Sequence, residues 1–212
     1  IDNGEAALKL SRDAGSANLA LYGYWGAWKN PYGFSPADSV VGTPSHYYYP
    51  ALNAYGASVR GSLFGGVAWV EGGWYDSADD RDGDDPLVPN SEARAMAGYE
   101  RQWWSDFTGG AQVYWEGVQD YRASEYVKDE NYTLLTVRLT QLLRYQTVKL
   151  SVFTFYSPSD EDAYARLAVG YDYTDELNLT VGANLFQGDD PRTLFAMNED
   201  NSNAYVRVRY SF

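Results

Sequence analysis

The chain has 212 residues, enough for one large domain or two small ones. Its formal net charge of -13 argues against nucleic acid as a partner, and the absence of cysteine excludes a disulfide scaffold and a thiolate metal site. No apolar run is long enough for a transmembrane helix, and the opening IDNGEAALKL does not have the basic and then apolar pattern of a signal peptide.

Aromatic residues make up 17% of the chain, although the mean hydropathy is only -0.47. High aromatic content with low hydropathy suits a surface that is apolar at alternate residues only. Six tryptophans lie at or near the ends of predicted strands, as interfacial aromatics do: Trp25, Trp28, Trp74, Trp103, Trp104 and Trp115.

The repeated signal along the chain is alternation of apolar and polar residues, and helical periodicity is nearly absent. In chain order this pattern predicts a weak strand at 5–12 and stronger strands at 17–28, 51–63, 66–76, 92–104, 110–120, 132–144, 147–156, 164–174, 177–187 and 203–212. Segments of about ten residues are what a tilted strand needs to cross a bilayer.

The predicted connections alternate between short and long. The short ones are 13–16, 64–66, 105–109, 145–147 and 174–177, and the long ones are 29–50, 77–91, 121–131 and 188–202, with a shorter one at 157–162. A soluble sandwich also has strands with alternating residues, but nothing in its architecture requires every second loop to be short. Outer-membrane barrels have this asymmetry, with short periplasmic turns and longer extracellular loops.

The alternation separates an apolar face from a polar one in each strand. In LNLTVGANLF (177–186) and AYARLAVGYDY (163–173) one parity is apolar or aromatic throughout, as in Leu177, Leu179, Val181, Ala183 and Leu185. The other parity holds most of the polar residues, charged residues and glycine. SEARAMAGYE (91–100) follows the same rule. In a barrel the second face lines the lumen, whereas in a soluble sheet it meets solvent.

The last strand, NAYVRVRYSF (203–212), carries a more specific pattern. One parity holds Val206, Val208, Tyr210 and Phe212, and the other holds two arginines. The chain here resembles Gram-negative outer-membrane β-barrels, whose last strand ends in an aromatic residue preceded by apolar residues at alternate positions. The resemblance implies that the barrel assembly machinery reads these four residues. Residues 184–212 also resemble the ends of porin-like channels of the group around alginate-export and substrate-selective porins.

These patterns together predict an all-β, transmembrane, antiparallel up-and-down β-barrel of about 10–12 strands, forming a single domain over residues 1–212. It would lie in the bacterial outer membrane with longer acidic extracellular loops. Expected partners are lipid, lipopolysaccharide, the assembly machinery, and a second copy or a partner chain.

Eleven strands is an odd number, whereas single-chain bacterial barrels have even numbers with both ends in the periplasm. The odd number favours the C-terminal portion of a larger barrel that lacks N-terminal strands. The alternative is a ten-stranded barrel in which 5–12 is a periplasmic arm.

Charged residues on the polar face, which would line the lumen of a barrel, are separated by sign along the chain. The basic ones are Arg138, Lys149, Arg166, Arg207 and Arg209, and the acidic ones are Glu71, Glu92, Glu100 and Glu116. Opposed charges would set up a transverse field that orients polar solutes and tunes ion selectivity. Alternatively, they pair across neighbouring strands and plug a narrow barrel. Aromatics with this parity would stack on sugar rings or fill space: Tyr22, Tyr24, Tyr114, Phe153 and Phe155.

Two further features suggest other chemistry. Asp80, Asp82 and Asp84 around Gly83 resemble the start of a calcium loop, without the bidentate Glu at the proper spacing, so a solvated acidic loop is the competing interpretation. His46 is the only histidine, and a lone loop histidine is ordinarily a surface residue.

The function expected from the sequence is a porin-like channel, not an enzyme, for passive diffusion of small hydrophilic solutes, including anionic or saccharide ones. No cofactor is expected apart from Ca²⁺ in the acidic loop. The alternatives are an outer-membrane enzyme with a rim site around His46 and a structural barrel that anchors or sheathes a partner.

Overall fold

The computed structural model describes residues 4–36, 45–122 and 129–212. The fold is all-β, with 66% strand and 3% helix. Its strands form one 11-stranded antiparallel sheet and one separate 2-stranded sheet. Among the described residues, helices are too short and too polar to cross a membrane.

The strands of the described residues are, in chain order, β1 (Ala6–Ala14), β2 (Ala17–Ala27), β3 (Gly33–Ser35), β4 (His46–Tyr48), β5 (Ala51–Leu63), β6 (Gly66–Ser77), β7 (Glu92–Trp104), β8 (Phe107–Val118), β9 (Asn131–Leu143), β10 (Val148–Ser157), β11 (Asp162–Asp172), β12 (Leu177–Gln187) and β13 (Asn203–Tyr210). A 3-10 helix, Ala196–Asn201, precedes β13. Every strand predicted from the alternation is present, which confirms that a period of two dominates this chain.

The structure adds elements inside two predicted loops. β3 and β4 pair as a small hairpin within 29–50, and the 3-10 helix lies within 188–202. The weak prediction at 5–12 is a full strand, because β1 pairs with β2 along its whole length, from Ala6 opposite Trp25 to Ala14 opposite Ala17. β3 and β4 were not predicted because a strand of three residues gives too little alternation to be recognised in a sequence.

The large sheet has the order β1-β2-β5-β6-β7-β8-β9-β10-β11-β12-β13, so its strands follow one another in chain order, with β3 and β4 set apart in the small sheet. This confirms the antiparallel up-and-down arrangement. Within the described residues the order is linear, with β1 and β13 at its two edges, and no closed barrel is observed.

The connections follow the predicted alternation except at one place. Residues 158–161 join β10 to β11 and are no longer than the turn at 144–147, so this connection is not a long loop. The turn at 64–65 has Phe64 at φ 47° and Gly65 at φ 77°. Left-handed backbone at both positions matches the right-handed twist of a two-residue hairpin.

The chain divides into two compact units, and each is described by itself. The first comprises Ile1–Gly61, Val70–Met96 and Trp115–Asn131. Within it, Leu10 of β1 lies opposite Leu21 of β2, and these side chains are 59% and 60% exposed.

The second unit comprises Ser62–Trp69, Ala97–Tyr114 and Tyr132–Phe212. Val169, Val181 and Val206 lie side by side on β11, β12 and β13, and they are 48%, 57% and 73% exposed. Each unit therefore presents an exposed apolar face on one side of its strands.

Buried apolar side chains are few among the described residues: Ala20, Ala27, Trp28, Pro50, Leu52, Val88, Phe195 and Ala196. Trp28 was predicted as an interfacial aromatic, but it is only 9% exposed and stacks on Tyr75 with ring centroids 6.1 Å apart. It is covered because the chain after β2 folds back, with the Trp28 N–H donating to the Pro50 carbonyl at 2.8 Å. The other five tryptophans of that set are exposed.

Candidate functional site

The polar face of β10–β13 is the part of the second unit where the predicted basic residues gather. The strand register sets its rows. Phe153 lies opposite Arg166, which lies opposite Asn184. Farther towards the turn between β11 and β12, Lys149 lies opposite Gly170, and Thr180 opposite Arg207. The alternation therefore places these long cationic side chains on the same side of neighbouring strands.

A cavity of about 370 Å³ lies on this face, and it is called the basic cavity here. Four cationic side chains line it: Lys149, Arg166, Arg207 and Arg209. Between them the wall is built of small residues: Ser151, Ala168, Gly170 and Thr180. Arg138 has the same parity on β9, opposite Phe153, but it does not line the cavity.

The four cationic groups of the basic cavity make no ion pair and no side-chain hydrogen bond within residues 4–36, 45–122 and 129–212. No direct ion pair therefore neutralises these four charges. The aromatic ring of Tyr205 also lines the cavity and lies against Gly182, its register partner.

Acidic residues occupy the end of the basic cavity next to the turn between β11 and β12. These are Asp172, Asp175 and Glu176. Two of them already accept local hydrogen bonds. Asp172 accepts from the Asn178 amide at 2.7 Å, and Glu176 accepts from the Thr174 hydroxyl at 3.1 Å.

The predicted acidic wall belongs mostly to the first unit. Arg94 forms ion pairs with Glu92 and with Glu116, the latter at 3.2 Å, and its guanidinium lies 4.1 Å from the Tyr75 ring centroid. Glu92 and Glu116 are each 5% exposed. Two of the predicted acidic residues thus pair with Arg94, which is outside the predicted basic set, and only the contact with Glu116 joins neighbouring strands. Glu71, in the first unit, and Glu100, in the second, are exposed.

The segment 188–202 folds onto the polar face beyond the basic cavity. Phe195 is buried and stacks on Phe155 and Tyr164, with centroids 5.7 and 6.2 Å apart. Its backbone N–H donates to Asp162 Oδ2 at 2.7 Å. Asp162 is 1% exposed, so a buried carboxylate holds this loop against aromatic side chains of β10 and β11.

Sequence reasoning did not identify Phe195, Asp162 or Tyr205 as site residues. Tyr205 has the parity of Arg207, which is a signal that could have found it. Phe195 and Asp162 lie at or beyond strand ends, where alternation is lost.

The predicted calcium residues do not gather around one point. Asp80 is 5% exposed and accepts hydrogen bonds from the backbone N–H groups of Asp84 and Asp85, each at 3.1 Å. Asp82 and Asp84 are exposed. Within the described ranges, no group of three or more acidic, histidine or cysteine side chains is arranged to hold a metal ion. Asp80 therefore shapes its own loop, and the calcium hypothesis gains no support.

Two exposed ion pairs fix loops at strand ends. Arg192 donates to Asp190 at 2.7 Å, and this hydrogen bond lowers the pKa of the Asp190 carboxyl to about 2. Lys29 donates to Glu5 at 2.8 Å and to Tyr24 Oη at 2.9 Å. The contact with Lys29 lowers the pKa of Glu5.

His46 lies in β4, opposite Ser35 of β3. It is exposed and belongs to the separate two-stranded sheet. A loop hairpin therefore positions it, not a strand of the large sheet, and the enzymatic alternative stays a prediction.

The residues predicted as an assembly signal are all strongly exposed. Val206, Val208, Tyr210 and Phe212 are 73%, 65%, 66% and 112% exposed. The first three face one side of β13, and Arg207 and Arg209 face the other.

No protein-family model matches this chain, and no match was found among curated proteins or solved structures. Hypotheses about its function therefore depend on its own residues and their geometry.

Proposed function

We propose that this chain is a porin-like channel of the bacterial outer membrane, through which small hydrophilic solutes diffuse passively. The observation that supports the proposal most is the distribution of apolar surface. Leu21 and Val181 are 60% and 57% exposed in mid-strand, while the opposite faces of their strands carry hydrogen-bonding side chains such as Tyr22 and Asn184. Contiguous exposed apolar surface on this scale suits contact with lipid.

In the proposed arrangement the exposed apolar face contacts lipid, and the polar face of β10–β13 lines a water-filled path. The sheet would close into a barrel in the membrane, because open sheet edges are not tolerated in hydrocarbon. The unpaired cations of the basic cavity would raise the local concentration of anions and favour their passage.

The partners follow from the same proposal. Lipid would contact the apolar face, lipopolysaccharide would contact the longer loops, and the assembly machinery would read the exposed C-terminal residues of β13. A second copy of the chain or a partner chain belongs to the same hypothesis.

Conductance of the purified protein in planar lipid bilayers tests the proposal. We expect stable open steps and, in a salt gradient, a reversal potential that shows preference for anions. Replacing Lys149, Arg166, Arg207 and Arg209 with serine should shift the reversal potential towards cation preference, because the polar face loses its unpaired positive charge.

Arg144→Ser is the matched control, since Arg144 lies in the turn between β9 and β10 and outside the basic cavity. This variant removes one positive charge but should leave selectivity nearly unchanged. Folded protein that gives no conductance would contradict the channel. It would favour a barrel plugged by its own charge pairs, of the kind that Arg94 makes, and hence the anchoring or sheathing role.

A further inference from the structure

We infer that the basic cavity is a binding subsite for a compact dianion of the phosphate-ester class. If the protein is the proposed channel, this dianion is the solute that it would pass, so the conclusion about transport rests on the proposed function. Binding itself can be measured whether or not the protein conducts.

The strand register places two of the cationic side chains in one row across the cavity. Lys149 and Arg207 stand on β10 and β13 in the same row, with Gly170 and Thr180 between them. Three strand spacings separate the Cα atoms by roughly 14 Å, a gap that two long side chains extending towards each other can close around a small anion.

Small residues leave room for the anion on the cavity wall. A methyl group added at Gly170 would have its nearest neighbours at 3.8 Å, which is ordinary contact distance, so no side chain crowds this glycine. A cavity of about 370 Å³ is larger than one phosphate group needs and accommodates the organic part of an ester. The Tyr205 ring offers that part an aromatic surface.

The charges favour a dianion over a neutral solute. Four cationic groups outnumber the three carboxylates that line the same concave surface, and none of the four forms an ion pair in the described residues. An anion that accepts from several of them at once relieves their mutual repulsion. Arginine is suited to this role because its planar guanidinium donates two parallel hydrogen bonds to phosphate oxygens.

The acidic end of the cavity raises the alternative of a zwitterionic solute. The dianion is favoured because the cationic side chains outnumber these three carboxylates, two of which, Asp172 and Glu176, also accept hydrogen bonds from Asn178 and Thr174. These carboxylates are exposed, so water screens them. They would direct the anion away from the turn and towards Arg166 and Arg207.

Isothermal titration calorimetry of the detergent-solubilised protein tests the inference, with inorganic phosphate and glycerol phosphate as probes. We expect saturable binding of one anion per chain, weakened by added salt. Arg207→Ser should weaken it at least about tenfold, as loss of a charge-assisted hydrogen bond predicts, and Lys149→Ser should act in the same direction.

Two variants make the result specific. Arg144→Ser, outside the cavity, should leave phosphate affinity unchanged, and Arg207→Lys should recover part of the loss because it restores the charge without the planar fork. Circular dichroism would confirm that each variant keeps its strand content. Equal binding by wild type and Arg207→Ser would overturn the inference, and so would tighter binding of glycine or glucose than of phosphate.

The outcomes separate this inference from the proposed channel. Conductance without saturable phosphate binding would overturn the subsite and leave the channel standing. Phosphate binding that requires Arg207 in a protein that never conducts would support the subsite and refute passive transport.

Discussion

Asp162 shows how a single residue decides where a long loop lies. It stands at the start of β11 and is 1% exposed, and its Oδ2 accepts the Phe195 N–H at 2.7 Å. Its other oxygen, Oδ1, has no hydrogen-bond partner among the described residues. A buried carboxylate oxygen without a partner is uncommon in folded proteins, so the contact made by the other oxygen is the structural role to test. Here that contact holds Phe195 over Phe155 and Tyr164.

Asp162→Ala should therefore destabilise the folded protein by about 1–3 kcal/mol, because it leaves a buried N–H group without an acceptor. Asp162→Asn keeps an acceptor oxygen and should lie between wild type and the alanine variant. Denaturant unfolding in detergent, followed by tryptophan fluorescence, measures both. Alanine and asparagine variants as stable as wild type would show that the hydrogen bond does not hold the loop.

At the scale of the strand, glycine and aromatic residues form complementary pairs. Tyr205 of β13 lies across from Gly182 of β12, and a methyl group at Gly182 would come within 2.5 Å of the tyrosine ring and 2.8 Å of the Leu167 carbonyl oxygen. Gly170 of β11 has no such neighbour. The same residue type is thus required at one position and replaceable at the other.

We expect Gly182→Ala to destabilise the protein by about 1–3 kcal/mol, as overpacking does, and Gly170→Ala to cost much less. Combining Gly182→Ala with Tyr205→Ala should recover part of the loss, because the ring no longer blocks the added methyl group. A double-mutant cycle from denaturant unfolding gives the coupling energy. Additive effects of the two substitutions would contradict direct contact between the pair.

For the whole molecule the decisive property is which face of the strands is apolar. Val181 is 57% exposed and is flanked in register by Val169 and Val206, so three strands present valine to the same side. A water-soluble domain of this size would bury most such side chains. The proposed membrane location explains why they are outside.

Val181→Arg should cost about 2–4 kcal/mol of folding free energy in lipid vesicles if this row lies near the bilayer midplane. Thr140→Arg is the matched control, because Thr140 lies opposite Ser151 and so has the parity of the polar face. It should fold nearly as well as wild type. Equal tolerance of arginine at both positions would argue against contact between the valine row and lipid.

Alternation by itself determined the strands of the large sheet and their polar and apolar faces, because the side-chain period of two is a local property. Short turns also predicted which strands pair as hairpins, whereas the long connections, such as the one between β6 and β7, left the neighbour open. The parity of Arg166, Arg207 and Arg209 could be predicted for the same reason. Only the tertiary structure decided that Lys149 joins them around one cavity while Arg138 does not, that Glu92 and Glu116 pair with Arg94, and that Asp162 holds Phe195. These contacts depend on register and on loop paths between residues far apart in the chain, which no local pattern encodes.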